Sequence, residues 1–273
     1  MISTTDTENQ RVNLLWTGGW DSTFRLLKLV LNNREVQPFY IIDPNRESLG
    51  HEVRAMQHIR SEISKSYPKA SKLLLSTLFI ELHDIKENIL VTAAYLNIRK
   101  SVPVGIQYEW LARFAEERGD HPMEIGIEMG SHGTSKYLSK YWIYKYFDEE
   151  GFYMIDEKYK GTDVYNLFKY FKFSIIDLKK RDMKAIAEKE RFIHIMGHTW
   201  FCHSPISNGK PCGVCKPCII AIHEGMAYRM PLQSMIRYHL RWLLSLEQFK
   251  RTFPGLYHFL KKIKDLLIPK KEK

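Results

Sequence analysis

The chain has 273 residues, 44% of them hydrophobic and 26% charged, with a formal net charge of +10. That length suits one large α/β domain with a smaller appendage rather than two equal domains, and the composition excludes wholesale disorder. No apolar run approaches the roughly 18 residues of a membrane span, and the opening MISTTDTENQR lacks the apolar stretch of a signal peptide, so a cytoplasmic location is expected.

Val12–Trp16 is a short apolar run that ends in Thr17-Gly18-Gly19, the pattern of a buried strand entering a tight turn. Ser22–Leu31 places Phe24, Leu27 and Leu31 on one helical face, and Asn32-Asn33 stops it. A second strand is expected over Phe39–Ile42, ending at Asp43-Pro44, then a helix from His51 to Ser64 with Val53, Met56 and Ile59 in register. The same reading gives a strand over Leu78–Leu82, helices over Ile85–Ile98 and Tyr108–Arg118, and a fourth strand over Met123–Ile127. Alternation at this spacing predicts an open parallel sheet with helices on both faces.

Between Tyr137 and Phe173 the chain is crowded with Tyr, Phe and Trp and punctuated by Gly151 and Gly161, and it shows no clear period. These aromatics suit a pocket lining, a core, or a contact between subunits. A polar helix is expected over Lys180–Glu190, then a loop with every cysteine, then basic helices. The positive excess is concentrated in Lys261–Lys273; it fits either an anionic partner or a solvated tail.

The segment Thr17-Gly18-Gly19-Trp20-Asp21-Ser22-Thr23 lies between a strand and a helix, where free backbone N–H groups and the helix dipole favour an anion. Glycines allow close approach, Thr17, Ser22 and Thr23 add hydroxyl donors, and Asp21 can hold the turn or bind Mg2+. Gly126, in the fourth strand, completes the candidate nucleotide-binding set. No Gly-Lys-Ser/Thr follows, so this is not the Walker loop, and positive charge must come from later in the chain.

Cys202, Cys212, Cys215 and Cys218 are the four cysteines, spaced Cys-x9-Cys-x2-Cys-x2-Cys. Disulfides are disfavoured in a cytoplasmic protein, whereas four converging thiolates suit a closed, structural tetrahedral Zn2+ site. An iron–sulfur cluster is the chemical alternative.

The first motif resembles the pyrophosphatase loop of the N-type ATP enzymes, Ser-Gly-Gly-x-Asp-Ser, with Thr17 in place of serine. Thr199-Trp200-Phe201-Cys202 and Pro211-Cys212-Gly213-Val214-Cys215-Lys216-Pro217-Cys218 resemble the Thr-Trp-Ser-Cys and Pro-Cys-Gly-x-Cys-x-x-Cys of 7-cyano-7-deazaguanine synthases, which carry the same loop. The resemblance spans about Val12–Met226. It implies a Rossmann-like sheet of the adenine nucleotide alpha hydrolase type, with a PP-loop domain over 10–196, a zinc segment over 197–230, and basic C-terminal helices and tail over 231–273. It implies a homodimer. The implied activity is ATP-dependent adenylation of a carboxylate on a deazaguanine, with release of pyrophosphate and AMP. Lys180 falls where the family has a Leu-Thr-Lys and is the candidate for phosphate charge; Asp21 and Arg46 complete the catalytic candidates, and His51 follows the same strand.

The chain also departs from that family. Asp43-Pro44-Asn45-Arg46-Glu47-Ser48 replaces a Tyr-Gly-Gln-Arg-His pattern and keeps only the arginine; Val104-Gly105-Ile106-Gln107 replaces Pro-Gly-Arg-Asn; Gly130-Ser131-His132-Gly133-Thr134-Ser135-Lys136-Tyr137 replaces an acidic run ending in Asp-Cys-Arg-Pro-Glu. Leaving a polar edge of substrate unmatched costs about 1–3 kcal/mol per group. ATP activation with a changed acceptor is therefore expected, the partner being a small carboxylate, a deazaguanine, or an amine on a protein or nucleic acid. Two other readings compete. A tRNA sulfurtransferase of the same superfamily needs a reactive cysteine beyond the zinc set, and a non-catalytic nucleotide- or nucleic-acid-binding module would use the interleaved basic and aromatic residues of Met235–Lys264, which also suit an anionic membrane surface and, more often, form a helix pair packed on the body with a solvated outer face.

Overall fold

A computed structural model describes residues 11–119, 122–130, 133–147, 150–207, 209–245, 250 and 253–267. Its strands are β1 (Val12–Leu15), β2 (Val36–Ile42), β3 (Leu78–Glu81), β4 (Met123–Ile125), β5 (Trp142–Phe147), β6 (Glu150–Ile155) and β7 (Phe171–Lys172). The longer helices are α1 (Trp20–Leu31), α2 (Leu49–Ser66), then, after α3 (Pro68–Ser71), α4 (Ile89–Arg99) and α5 (Gln107–Arg118). Short α6 (Thr134–Leu138) and α7 (Asp163–Phe168) precede α8 (Lys180–Lys189), α9 (Ile193–Met196), α10 (Lys216–Ala221), α11 (Leu232–Ser245) and α12 (Pro254–Leu267).

Five strands form one parallel sheet in the order β3-β2-β1-β4-β7, with Leu15 opposite both Phe39 and Ile125. Consecutive residues of a strand point to opposite faces. Phe39, Tyr40 and Ile41 are nonetheless all buried, as are Leu14 and Leu15, so both faces are covered. Leu15, Phe39 and Ile41 pack with Val91, Ala94 and Tyr95 of α4, Leu111 and Ala112 of α5, and Leu167 and Phe168 of α7. On the other face Tyr40 donates its hydroxyl to Glu52 of α2 at 2.8 Å, and α1 meets α9 through Phe24 against Phe192, ring centroids 5.8 Å apart. α1 buries Phe24, Leu26, Leu27, Leu29 and Val30, each worth about 1.5–3 kcal/mol when fully removed from water.

The helix expected over Ile85–Ile98 begins only at Ile89, because Asn88 accepts the Val91 N–H at 3.0 Å and caps the first turn. A 3₁₀ turn over Leu82–Asp84 takes up the preceding residues, so the third strand ends at Glu81 rather than Leu82. The fourth strand ends at Ile125 rather than Ile127, whose N–H turns back to the Ile125 carbonyl at 3.1 Å. The aromatic segment without a period contains an antiparallel hairpin, β5 with β6, that continues toward the sheet through a bridge from Tyr153 to Phe173.

The chain divides into two compact units. The first holds the described residues up to Asn45 and Glu52–Trp200, the sheet among them; the second holds Arg46–His51 and the described residues from Phe201 on. Among the described residues, no helix is long and apolar enough to cross a membrane.

Candidate functional site

In the first unit the strand order reverses between β1 and β4, so the crossovers from these neighbours leave in opposite directions and open a crevice at their carboxyl ends. The predicted loop lies there. Gly18 adopts φ +67°, and a Cβ on it would stand 3.1 Å from the Glu52 carbonyl oxygen; glycine is required for both reasons. Its own carbonyl accepts the Trp200 N–H at 2.9 Å, which ties Thr199-Trp200 of the second sequence motif to the first. Gly19 starts α1 with extended backbone and no side-chain cap, so the helix presents its first turn of amides without a competing side chain.

Across the crevice Gly126 follows β4 so closely that an added Cβ would meet the Ser22 amide nitrogen at 2.8 Å. A buried ion pair fixes this approach: Arg25 of α1 donates to Glu124 of β4, Nη2 to Oε1 at 2.9 Å, and Ser174 donates to the same carboxylate at 3.0 Å. Both charged side chains are nearly sealed from solvent, where paired hydrogen bonds are needed to offset desolvation.

Lys180 opens α8, 159 residues after Asp21, yet its Nζ stands 3.1 Å from Asp21 Oδ1 and 3.3 Å from Oδ2. It also donates to Glu128 Oε1. The local cause is a strand-like contact in which Met129 N–H donates to the Leu178 carbonyl at 2.8 Å, laying the segment after β4 beside the start of α8. Asp182 accepts the Lys179 N–H at 3.0 Å and stabilises that helix start. The Lys180 side chain is 11% exposed, Asp21 25% and Glu128 19%, so this is a shielded cluster with an open side rather than a surface pair. At the start of α5, burial pushes the Tyr108 phenol upward from its ordinary value, hydrogen bonding to Thr134 and Gln107 opposes, and the Asp21 charge adds to the rise.

The structure thus brings Thr17, Gly18, Gly19, Asp21, Ser22, Gly126 and Lys180 to one crevice mouth. Thr23 is different: fully buried, it accepts the Trp16 indole N–H at 3.0 Å and braces the turn. Ser22 is also largely buried, its Oγ 3.4 Å from the Thr17 amide. Arg46 and His51 fall in the second unit, Arg46 in the turn before α2 with its carbonyl accepting the Leu49 N–H at 3.1 Å. Glu128, Tyr108 and the Arg25–Glu124 pair were not anticipated. A lone glutamate past a short strand carries no local signature, although a charged residue inside Met-Glu-Ile is itself a cue to a buried partner. Another recess, lined by Phe79, Asp84, Lys86, Phe114, Glu117 and Arg118, shares no residue with the loop; its charges are of both signs, and Lys86 is held by Glu117 at 3.1 Å.

The second unit contains the cysteines. Their four Sγ atoms lie within 4.8 Å of one another, with Cys212 to Cys218 at 3.8 Å and Cys202 to Cys215 at 3.9 Å. A tetrahedral ion with metal–sulfur bonds of about 2.3 Å requires sulfurs about 3.8 Å apart, so the cluster can hold a single metal ion, and its donor set suits zinc. A multi-iron core would hold the sulfurs further apart. Backbone amides already point at the sulfurs, Cys212 N–H to Cys202 at 3.2 Å and Cys215 N–H to Cys212 at 3.2 Å, and such hydrogen bonds favour the thiolate. Hydrogen bonding with Cys202 pulls the Cys212 thiol down to about 6 and lowers Cys215 as well, while hydrogen bonding within the set raises Cys202 and Cys218. Gly213, at φ +77°, leans on the Ser234 backbone, and Ser234 donates to the Pro211 carbonyl, so the cysteine turn is fastened to α11.

Fold and sites together define an α/β protein with an uncapped loop–helix mouth at the reversal of a parallel sheet and a four-cysteine cluster able to hold a metal ion. No protein-family model matches the chain, and no curated protein matches it.

Proposed function

We propose that the chain is a PP-loop enzyme that adenylates a carboxylate at the expense of ATP, in the manner of the 7-cyano-7-deazaguanine synthases its motifs resemble. The observation that carries this reading is the convergence of Lys180 on Asp21 at the uncapped start of α1. Amides of the Gly18-Gly19 turn and the helix dipole would take the nucleotide phosphates, and Lys180 would neutralise charge as it develops at the α-phosphorus. Asp21, Lys180 and Glu128 sum to one negative charge, which alone would repel a triphosphate. Two carboxylates beside a phosphate site fit Mg2+, which is commonly held by one or two carboxylates together with substrate phosphates and reverses that sign.

In the reaction a carboxylate oxygen attacks the α-phosphorus, the bond to the bridging oxygen breaks, and pyrophosphate leaves. An amine nitrogen then attacks the acyl carbon, the bond from that carbon to the phosphate oxygen breaks and AMP leaves with its electron pair, and the nitrogen loses a proton. No covalent enzyme intermediate is needed, so positioning and electrostatics supply the acceleration. One of the segments that depart from the synthase pattern begins beside this mouth: Gly130, whose N–H is taken by Ser135 Oγ at 2.9 Å, follows Glu128 by two residues. That placement supports retained ATP chemistry with a changed carboxylate or amine. Sulfur transfer is less well supported, because all four cysteines of the chain converge on the metal-type cluster.

Incubation with Mg-ATP, ammonium and 7-carboxy-7-deazaguanine, read by mass spectrometry, tests the reading. AMP with an amide or nitrile establishes synthase chemistry; AMP without either establishes activation for another acceptor. If no AMP forms with this or any carboxylate or amine tried, the proposal fails.

A further inference from the structure

The adenylation chemistry leaves the last two helices without a role. α12 carries Leu256, Phe259, Leu260, Ile263 and Leu266, the i, i+3, i+4 spacing of a helix whose apolar stripe is normally buried in a core. Here Leu260 and Ile263 are only half-buried, and Leu256, Phe259 and Leu266 stand 49%, 60% and 82% exposed. α11 repeats the pattern, with Leu232 at 77% and Ile236 at 44%. The preceding Phe253 is exposed too, and so are Lys261 and Lys262 of α12.

Charge identifies what such a face meets. Residues 231–273 contain ten Lys and Arg against three Asp and Glu, a net +7 within a chain of +10. Of these, Lys250, Lys261 and Lys262 are exposed and Arg237 is buried; a second copy of the same surface would set the exposed lysines against each other, and like-charge juxtaposition suppresses association. A nucleic acid satisfies the lysines but gains little from exposed leucines, since it is held by phosphate contacts and base stacking on aromatic rings. An anionic bilayer satisfies both properties, with phosphate and carboxylate headgroups above an apolar interior. Because no described helix is long and apolar enough to span, the contact would lie in the plane of the interface.

We infer that α11 and α12 form a docking surface for an anionic phospholipid bilayer. Phe259, Leu256 and Leu266 enter the boundary between headgroups and acyl chains, and Lys261 and Lys262 rest on the headgroups. This surface is independent of the nucleotide reading, and it would bring the first unit to a membrane without a spanning segment.

Vesicle sedimentation of the full, metal-loaded chain decides the matter. It should pellet with vesicles containing phosphatidylserine and stay in the supernatant with pure phosphatidylcholine. Phe259→Ser with Leu266→Ser should weaken partitioning at least about tenfold, and Lys261→Gln with Lys262→Gln by about fivefold per lysine at low salt, with less effect as salt rises. All four side chains are exposed, so thermal midpoint and metal content should not change, which separates lost docking from lost folding. The inference is overturned if the chain ignores anionic vesicles, if the serine variant binds as tightly as the parent, if RNA or DNA captures the chain through the lysines alone, or if the apolar face proves to hold a dimer that excludes lipid.

Discussion

Gly126→Ala would place a methyl carbon 2.8 Å from the Ser22 amide nitrogen and 3.1 Å from both the Asp21 carbonyl carbon and Ser22 Cα. All three are backbone atoms of the first turn of α1, so no flexible side chain can yield. Ordinary contact begins near 3.4 Å, and the turn or the end of β4 must retreat by roughly 0.6 Å. The Arg25–Glu124 pair, which binds the same two elements, resists that shift. Overpacking of this kind costs about 1–3 kcal/mol, equivalent to a thermal midpoint lower by about 2–12 °C in a chain of this size. A misplacement of about 1 Å can cost ~100-fold in rate, so, under the proposed adenylation, AMP formation should fall about tenfold or more. Differential scanning fluorimetry and an AMP assay read the two effects separately. Gly255→Ala, in open space within α12 and without a positive φ, serves as the control and should leave both unchanged. An alanine at 126 that preserved midpoint and rate alike would mean that β4 does not press on the glycine turn, and the geometry of the crevice would be wrong.

Lys180→Met should reduce AMP formation by about 10²–10³-fold while metal content stays constant, as expected for a charge acting on the developing phosphate; purified protein with a retained rate refutes its role. Cys215→Ser, or chelation at neutral pH, should release about one zinc per chain, measured with a colorimetric indicator, and loosen the second unit because metal binding and folding are coupled there. Arg25→Met should destabilise the first unit by about 3–5 kcal/mol in urea by leaving Glu124 buried without its cation, and the double replacement Arg25→Met with Glu124→Met should recover much of that loss.

The elements around the loop were legible because each is signalled locally. The apolar run Val12–Trp16, the Gly18-Gly19 turn and the stripe of Phe24, Leu27 and Leu31 specify β1, the turn and α1 within a window of 20 residues. The cysteine spacing announced the cluster in the same way. The β5–β6 hairpin was not legible, since Trp142-Ile143-Tyr144-Lys145-Tyr146-Phe147 has large side chains on both faces and lacks the apolar–polar alternation that marks a strand. β7, two residues long within the same aromatic stretch, is a strand only because β4 lies beside it. Lys180 was found through motif resemblance alone. Its second carboxylate, Glu128, depends on how the segment after β4 settles against Leu178, a tertiary contact with no counterpart in any short pattern.

The distance in sequence between Asp21 and Lys180 also sets a schedule for synthesis. A ribosome adding roughly 5–20 residues per second needs about 8–32 s to travel those 159 residues. For that interval the nascent chain carries the two glycines and the aspartate but lacks the lysine, and once Glu128 has been added it carries two carboxylates of the cluster without their cation. Any product of early termination before residue 180 would inherit that state, so the lysine joins the mouth only after every strand of the main sheet has been made.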